Sequence, residues 1–339
     1  MWGFLLGVLS AVALSVCVEL LTGGVTRVLS RIKLVLLRRR PVYDPADDGL
    51  IMLGEWSPNR TLDQHRLQVE YLPQPDQSWI DQDRLRPALD ASSADSGDLS
   101  YLVDFRLDHR ESLASEDCRV TLAPSDYRDV RAIERLRISD PRAFERVDVA
   151  VSRDPHDYLT TAVPSSLAIN VVVMTPHMEV LCCQRSTAVD NAKGAWTVGI
   201  FETLKRVDSH NPGRVEDFFG LAQRGLEEEL GLRFADISSL RITWCGIYTP
   251  LLRGHVVAIA QTRVPKDRVI ELARRSHSSH EHKGFEWRPL TRKFVEGLVS
   301  APRNETAGTV GAVVESWGLP WLEQSALAAV EAYRFRATL

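Results

Sequence analysis

"LAQRGLEEELGL", residues 221–232, is the stretch on which the reading of this chain turns. On an α-helix, positions i, i+3 and i+4 share a face, so Glu228 and Glu229 stand on the side of position 225 while Glu227 points elsewhere. Carboxylates gathered on one face repel each other unless a cation binds them. Mg²⁺ takes hard oxygens in octahedral geometry and uses only a few carboxylates, the rest being water and phosphate oxygens. A cluster of that kind orients water and neutralises a diphosphate. Arg224 is placed to pin a carboxylate from the adjacent turn, and Gly231 permits a left-handed helix end. Taken alone, the stretch also reads as a solvated acidic helix. Gly225 and the flanking strands decide between the two.

Working outward, residues 166–175 ("SLAINVVVMT") and 179–186 ("EVLCCQRS") read as a β-hairpin turned at "PHM". A strand or loop with Gly and Trp follows at 194–204. "LRITWCGIYTP" (240–250) and "GHVVAIAQTRV" (254–264) read as two more strands, and "GFEWRPL" (284–290) as a short extended piece. A helix with Trp317 and Trp321 nearby and the Ala-rich "SALAAVEAYRF" (325–335) close the chain. Strands, helix, strands, helix in that order imply a mixed α+β sandwich. Upstream, 99–107 and 118–123 read as strands, and 125–138 and 140–152 as helices opened by Ser or Asp. The segments at 91–98 and 205–214 read as loops.

The N-terminus departs from this texture. Residues 2–18 carry no charge, and at about 1.5 Å per residue they span roughly 25 Å, close to a hydrocarbon core of about 30 Å. Extension to Val25 reaches full length. No Lys or Arg precedes Arg27, so the run reads as a retained transmembrane helix and not a cleaved signal peptide. Arg27, Arg31, Lys33, Arg38, Arg39 and Arg40 follow. Positive charge collects on the cytoplasmic side, which puts the large C-terminal part in the cytoplasm. The alternation of basic and apolar residues in 27–40 suits either a plain stop-transfer flank or a helix lying on an anionic leaflet.

The chain as a whole is 339 residues, 44% hydrophobic and 25% charged, with formal net charge −4. It has enough apolar material for a real core, and no basic field for a DNA or RNA polymer. Its five cysteines form no C-x-x-C pair and read as reduced thiols.

The strand order and the acidic helix together resemble Nudix domains, whose loop-helix-loop motif is G-x5-E-x7-R-E-U-x-E-E-x-G-U with U aliphatic. Arg224, Leu226, Glu228, Glu229, Gly231 and Leu232 fall in register, and Glu216 stands eight before Arg224. Two positions depart: His210 replaces the leading glycine, and Gly225 replaces the Glu after the arginine. The resemblance implies metal ligation by Glu228 and Glu229, with Glu216 or Glu202 compensating for the missing carboxylate and Mg²⁺ as the cation. It places Glu202 where those enzymes carry the glutamate of a Gly-Gly-x-x-Glu loop, and it makes Glu281 the candidate catalytic base.

With the N-terminal helix and the middle region, the chain resembles SMODS-associated NUDIX proteins, the transmembrane NUDIX effectors of bacterial cyclic-oligonucleotide (CBASS) anti-phage systems. The expectation is an α+β chain: a single N-terminal transmembrane helix, then a cytoplasmic Nudix-like mixed-sheet α/β/α sandwich. Residues 1–40 would hold the helix and basic segment, 41–164 a linker and extension, and 165–339 the Nudix-like domain. The resemblance implies a cyclic dinucleotide or oligonucleotide ligand, a bilayer partner, homo-oligomerisation and inner-membrane disruption. The alternative is a membrane-tethered, Mg²⁺-dependent hydrolase of nucleoside diphosphate derivatives.

For the nucleotide itself, Trp196, Tyr248 and Phe201 are aromatics that stack on a base or fill the core, and Trp244 is another. Arg185, Arg224 and Arg253 are candidates for phosphate, with Glu202 beside them. His277 and His280 have helical i, i+3 metal spacing or form a polar loop. His255 opens an apolar strand and reads as a histidine satisfied in the core.

Overall fold

A computed structural model describes residues 50–56, 62, 64, 67–71, 86–88, 90, 98–108, 117–145, 147, 149, 166–187, 193–205, 216–249, 252–300, 303–304, 311–314, 319–322 and 324–336. The expectations for residues 2–40, for 91–97 and for 206–215, including His210, lie outside them. In chain order the elements are β1 (Leu50–Glu55), β2 (Leu67–Tyr71), β3 (Asp98–Asp108), β4 (Asp117–Asp126), α1 (Tyr127–Ser139), β5 (Leu167–Met174), β6 (Glu179–Arg185), β7 (Trp196–Val198), β8 (Ile200–Thr203) and α2 (Phe218–Leu230). There follow β9 (Ile237–Tyr248), β10 (Arg253–Thr262), α3 (Lys266–Arg275), β11 (His282–Pro289), α4 (Arg292–Val299), β12 (Arg303–Asn304), β13 (Gly311–Val314), β14 (Leu319–Leu322) and α5 (Gln324–Phe335).

Eleven of these strands share one sheet in the order β1-β9-β10-β5-β6-β7-β14-β13-β12, with β8 on β5 and β11 on β6. β10 and β5 run parallel, Gly254 against Leu167 through Gln261 against Met174, whereas β9 and β10 are antiparallel. The sheet is therefore mixed. β5 is central and covered on both faces, which is why its sequence is a nearly unbroken apolar run and not an alternation.

Side chains alternate across a strand, and the two faces pack differently. Leu167, Ile169, Val171 and Val173 of β5 join Val256, Ala258 and Ala260 of β10 and Leu221, Ala222, Leu226 and Leu230 of α2 in one core. Each of those leucines contributes roughly 1.5–3 kcal/mol of burial. The intervening positions, Asn170 and Val172 on β5 and His255 and Val257 on β10, turn to the other face. There α5 packs against β5, β7 and β10, and the Val198 N–H donates to Ser325 Oγ at 3.2 Å.

The extension upstream of residue 165 is part of this body. β1 is the edge strand beside β9. β2, β4 and β3 form a small separate sheet, and α1 is capped by Asp126, which accepts from Arg128 N at 2.7 Å. Trp56, Val120, Leu122, Ile133, Leu136 and Phe144 enter the same core as α2. Buried Glu134 of α1 accepts from Arg253 Nε at 2.6 Å, fastening α1 to the start of β10. The described residues all belong to the unit Pro45–Leu339.

Three local expectations are refined. Within the helix expected over 140–152, the first turn, Pro141–Phe144, is 3-10, and the described residues Glu145, Val147 and Val149 after it are α-helical. Trp321 lies in strand β14, immediately ahead of α5. Helix α3 follows Pro265 directly after β10, where the sequence pattern marks only a strand through Val264. Among the described residues no helix is long and apolar enough to cross a membrane.

Candidate functional site

Helix α2 begins where Asp217 Oδ1 accepts from Gly220 N at 2.7 Å and ends where Gly231 takes φ +64°. The left-handed turn lets Leu232 N reach Leu226 O at 3.0 Å, closing the last turn. Its remaining carbonyls are claimed by the segment after α3: Ser278 N donates to Glu228 O at 2.9 Å, and Ser276 Oγ donates to Glu229 O at 2.7 Å. That return brings Glu281 and His282 to the carboxylate end of α2.

Gly225 is buried against β8. A Cβ there would stand 2.9 Å from Glu202 Cβ and 3.4 Å from both Glu202 Cγ and Ile200 Cδ1. Position 225 is therefore more than a missing carboxylate. The stem of Glu202, on the strand, fills the volume a side chain on the helix would need. Glu202 pairs in register with Ile169 and so points to the α2 face.

Arg224 gathers the carboxylates. Its Nη1 donates to Glu202 Oε1 at 2.7 Å and its Nε to Glu216 Oε1 at 2.8 Å. Its Nη2 donates to Thr203 O at 2.8 Å and Glu216 Oε2 at 3.2 Å. Glu228 Oε2 lies 3.6 Å from Nη1 and accepts from Lys205 Nζ at 3.1 Å. Burial works against the Arg224 proton, but Glu216 and Glu202 more than compensate and hold its pKa above the usual range. Burial raises Glu202, with Arg224 opposing.

Glu229 does not join this cluster. It is 1% exposed, and its Oε2 meets His282 Nε2 at 2.6 Å. Its Oε1 and His282 Nδ1 are buried with no partner among the described residues. Burial, then Glu202 and Glu281, push the Glu229 carboxyl well up. Burial, then Arg185 and His280, push His282 down to about 4. Both shifts favour neutral forms, so the folded pair holds one proton between the two atoms.

This has a consequence for stability. Between about 4.5 and 6.5 the unfolded pair also holds one proton, as a carboxylate and an imidazolium, so folding exchanges none. Above 6.5 the unfolded pair holds none and stability falls as pH rises. Below 4.5 the unfolded pair holds two and stability falls as pH drops, until His282 itself protonates near 4. In Glu229→Gln the alkaline loss, about 1.4 kcal/mol per pH unit at its steepest, disappears. The neutral His282 then costs stability as soon as pH falls below 6.5. Urea midpoints for both proteins from pH 4 to 9 check this; parallel curves would refute it.

The structure brings Glu202, Glu216, Arg224 and Glu228 into one ion-paired group, with Glu229, Glu281 and Arg185 near enough to act on one another's charge. It separates Tyr248 and Trp196 from them. Cys245 and Ile247 join the α2 core, so buried Tyr248 points to the opposite face. Trp196 pairs in register with Gln184, one position on from the core residue Cys183, and also faces away from Glu202. Arg253 is held by Glu134, and His277 and His280 lie around a 3-10 turn, Ser279–Glu281, and not on an α-helix. Lys205 was missed by sequence reading. Its only sequence signal was adjacency to Glu202.

The donor set has the hard oxygens a divalent cation wants, but they do not converge as a cradle. Among the described residues no three His, Cys, Asp or Glu side chains gather to hold a metal ion. Glu202, Glu216 and Glu228 face the chain's own cations, and Glu229 is closed off with His282. Mg²⁺ binding would require Lys205 and Arg224 to release Glu228.

No family model matches the chain, and no curated protein matches it. Among solved structures it is similar to a Deinococcus radiodurans protein at TM-score 0.34 and 12% identity, over 50% of this chain and 83% of that one. A C. elegans Ap4A hydrolase binary complex gives 0.24 and 20%, over 36% and 80%. The NUDIX domain of Shewanella oneidensis NrtR complexed with ADP ribose gives 0.25 and 14%, over 50% and 87%. The chain's own arrangement, a mixed sheet with helices on it and the acidic helix Phe218–Leu230 packed on one face, is consistent with a Nudix-like fold.

Proposed function

We propose that the protein is a membrane-anchored effector whose Nudix-like domain binds a cyclic dinucleotide or oligonucleotide without cleaving it. The supporting observation is the volume at Gly225, filled by Glu202, whose carboxylate is already neutralised by Arg224. A site built in this way has cations of its own for a phosphate and no preformed place for a catalytic metal. Residues 2–25 are the proposed membrane segment. Ligand binding favours a clustered state in the bilayer plane, which requires the ligand to prefer that state over the resting one, and clustering breaches the inner membrane during phage infection.

The retained Glu228 and Glu229 favour a second reading, a membrane-tethered Mg²⁺-dependent hydrolase of nucleoside diphosphate derivatives. Full-length protein in detergent, given Mg²⁺ and a panel of cyclic dinucleotides, cyclic trinucleotides and linear nucleoside diphosphate derivatives, separates the two. Tight binding of a cyclic nucleotide without turnover is expected. Turnover abolished by Glu228→Gln would establish the hydrolase instead, and no binding at all would sink both. Deleting residues 1–24 should abolish ligand-triggered toxicity; a fully toxic truncation would refute the membrane step.

A further inference from the structure

On the sheet face turned away from α2, several buried polar atoms find no hydrogen-bond partner among the described residues. They are Nδ2 and Oδ1 of Asn170, Nε2 of His255 and Nε1 of Trp244. Asn170 is 0% exposed, His255 3% and Trp244 1%. Register puts them in one patch. Asn170 faces Val257, which faces Trp244 on the next strand. The His255 ring centre is 5.9 Å from the centres of both Trp244 and Phe201. Phe201 in turn faces Asn170 across β8 and β5, and α5 brings Glu331 over the same face.

An unpaired polar group in the interior costs about 1–3 kcal/mol, and native proteins keep few of them. An apolar set at these positions would hold α5 to the sheet better. Burial, and then Arg253, push His255 down to about 3, so its ring is neutral at physiological pH. The patch thus presents a neutral imidazole, an indole N–H donor and an amide with donor and acceptor side by side. A side-chain amide of that kind matches the hydrogen-bonding edge of a heterocyclic base. Phe201 is only partly buried and offers an aromatic face on which a base stacks.

We propose that this patch beneath α5 recognises the heterocycle of a nucleoside, Asn170 pairing with the base edge and Phe201 stacking on its plane. The choice of a nucleoside rests on the nucleotide-binding reading above. The position does not: it lies on the face opposite Glu202 and Arg224.

The test titrates adenosine, guanosine and uridine, which carry no phosphate, into the full-length protein in detergent. Wild type, Asn170→Leu and Phe201→Ala are compared by calorimetry, with Tm recorded for each. At least one nucleoside should bind. Each variant should weaken it tenfold or more, the size expected for one or two lost hydrogen bonds or a lost stacking contact. Asn170→Leu should also raise the Tm of the free protein, because two unpaired polar atoms are removed. If that variant fails to fold, Phe201→Ala decides. Binding of none of the three nucleosides overturns the proposal, the polar atoms then being met by water alone; so does binding undiminished in a folded variant. Cyclic dinucleotide binding that survives Asn170→Leu would sink this site and leave the sensing reading standing. Nucleoside binding without any cyclic nucleotide binding would do the reverse.

Discussion

Gly225→Glu, which completes the Nudix motif on paper, should destabilise the protein by roughly 1–3 kcal/mol, as overpacking a filled site does. The new Cβ would meet Glu202 Cβ at 2.9 Å and Ile200 Cδ1 at 3.4 Å. The first of these atoms belongs to the root of a strand side chain, close to the backbone, and cannot simply swing aside. The added carboxylate would also enter a group where Glu202, Glu216 and Glu228 already share Arg224 and Lys205. The decisive control is the double variant Gly225→Glu with Glu202→Gly, which returns the carboxylate to the helix and clears the strand. Its urea midpoint should recover most of the loss. A Gly225→Glu single variant as stable as wild type would show that the strand and helix are not in the contact described.

Arg224→Ala should cost about 3 kcal/mol, the low end of what breaking a buried pair costs, because the partners are partly solvated. Side-chain exposure is 19% for Arg224, 12% for Glu202 and 20% for Glu216, so desolvation is substantial and incomplete. The loss exceeds that of a single surface salt bridge, about 0–1 kcal/mol, since one guanidinium serves two carboxylates and the Thr203 carbonyl. Arg224→Lys should recover only part, as an ammonium cannot span Glu216, Glu202 and Thr203 with a planar fork. In the Glu202→Gln, Glu216→Gln background the same Arg224→Ala change should cost far less, because no carboxylate is left unpaired. Equal losses in both backgrounds would mean that Arg224 acts by packing alone.

Much of the site was legible in sequence because it is local. The acidic helix itself, its Gly231 stop and the spacing of Glu216 from Arg224 all follow from short-range geometry. The strands read at 166–175, 179–186, 240–250 and 254–264 were likewise legible from apolar β-branched runs, although β9 begins earlier, at Ile237, and β10 ends at Thr262. Proximity to the acidic helix in sequence says nothing about which face of a strand a side chain takes, and the packed sheet turns Tyr248 and Trp196 away from Glu202. His255 is the core histidine that its place in an apolar strand suggests, but only the packed sheet shows its Nε2 without a hydrogen-bond partner among the described residues.

The sequence by itself determined the periodicities: which residues form strands, where the motif helix starts and stops, and that Arg224, Glu228 and Glu229 sit within one helical turn and a half. Tertiary structure alone decided what those carboxylates do. Glu202 reaches Gly225 only because β8 pairs with β5 beneath α2, and Glu229 meets His282 only because the chain returns past the helix end after α3. Adjacent carboxylates 228 and 229 thus have opposite fates, one facing Lys205 near solvent and the other sealed against a histidine. Their spacing along the helix is fixed by the backbone. Their charge is set by how much water and which partner the rest of the fold leaves beside each.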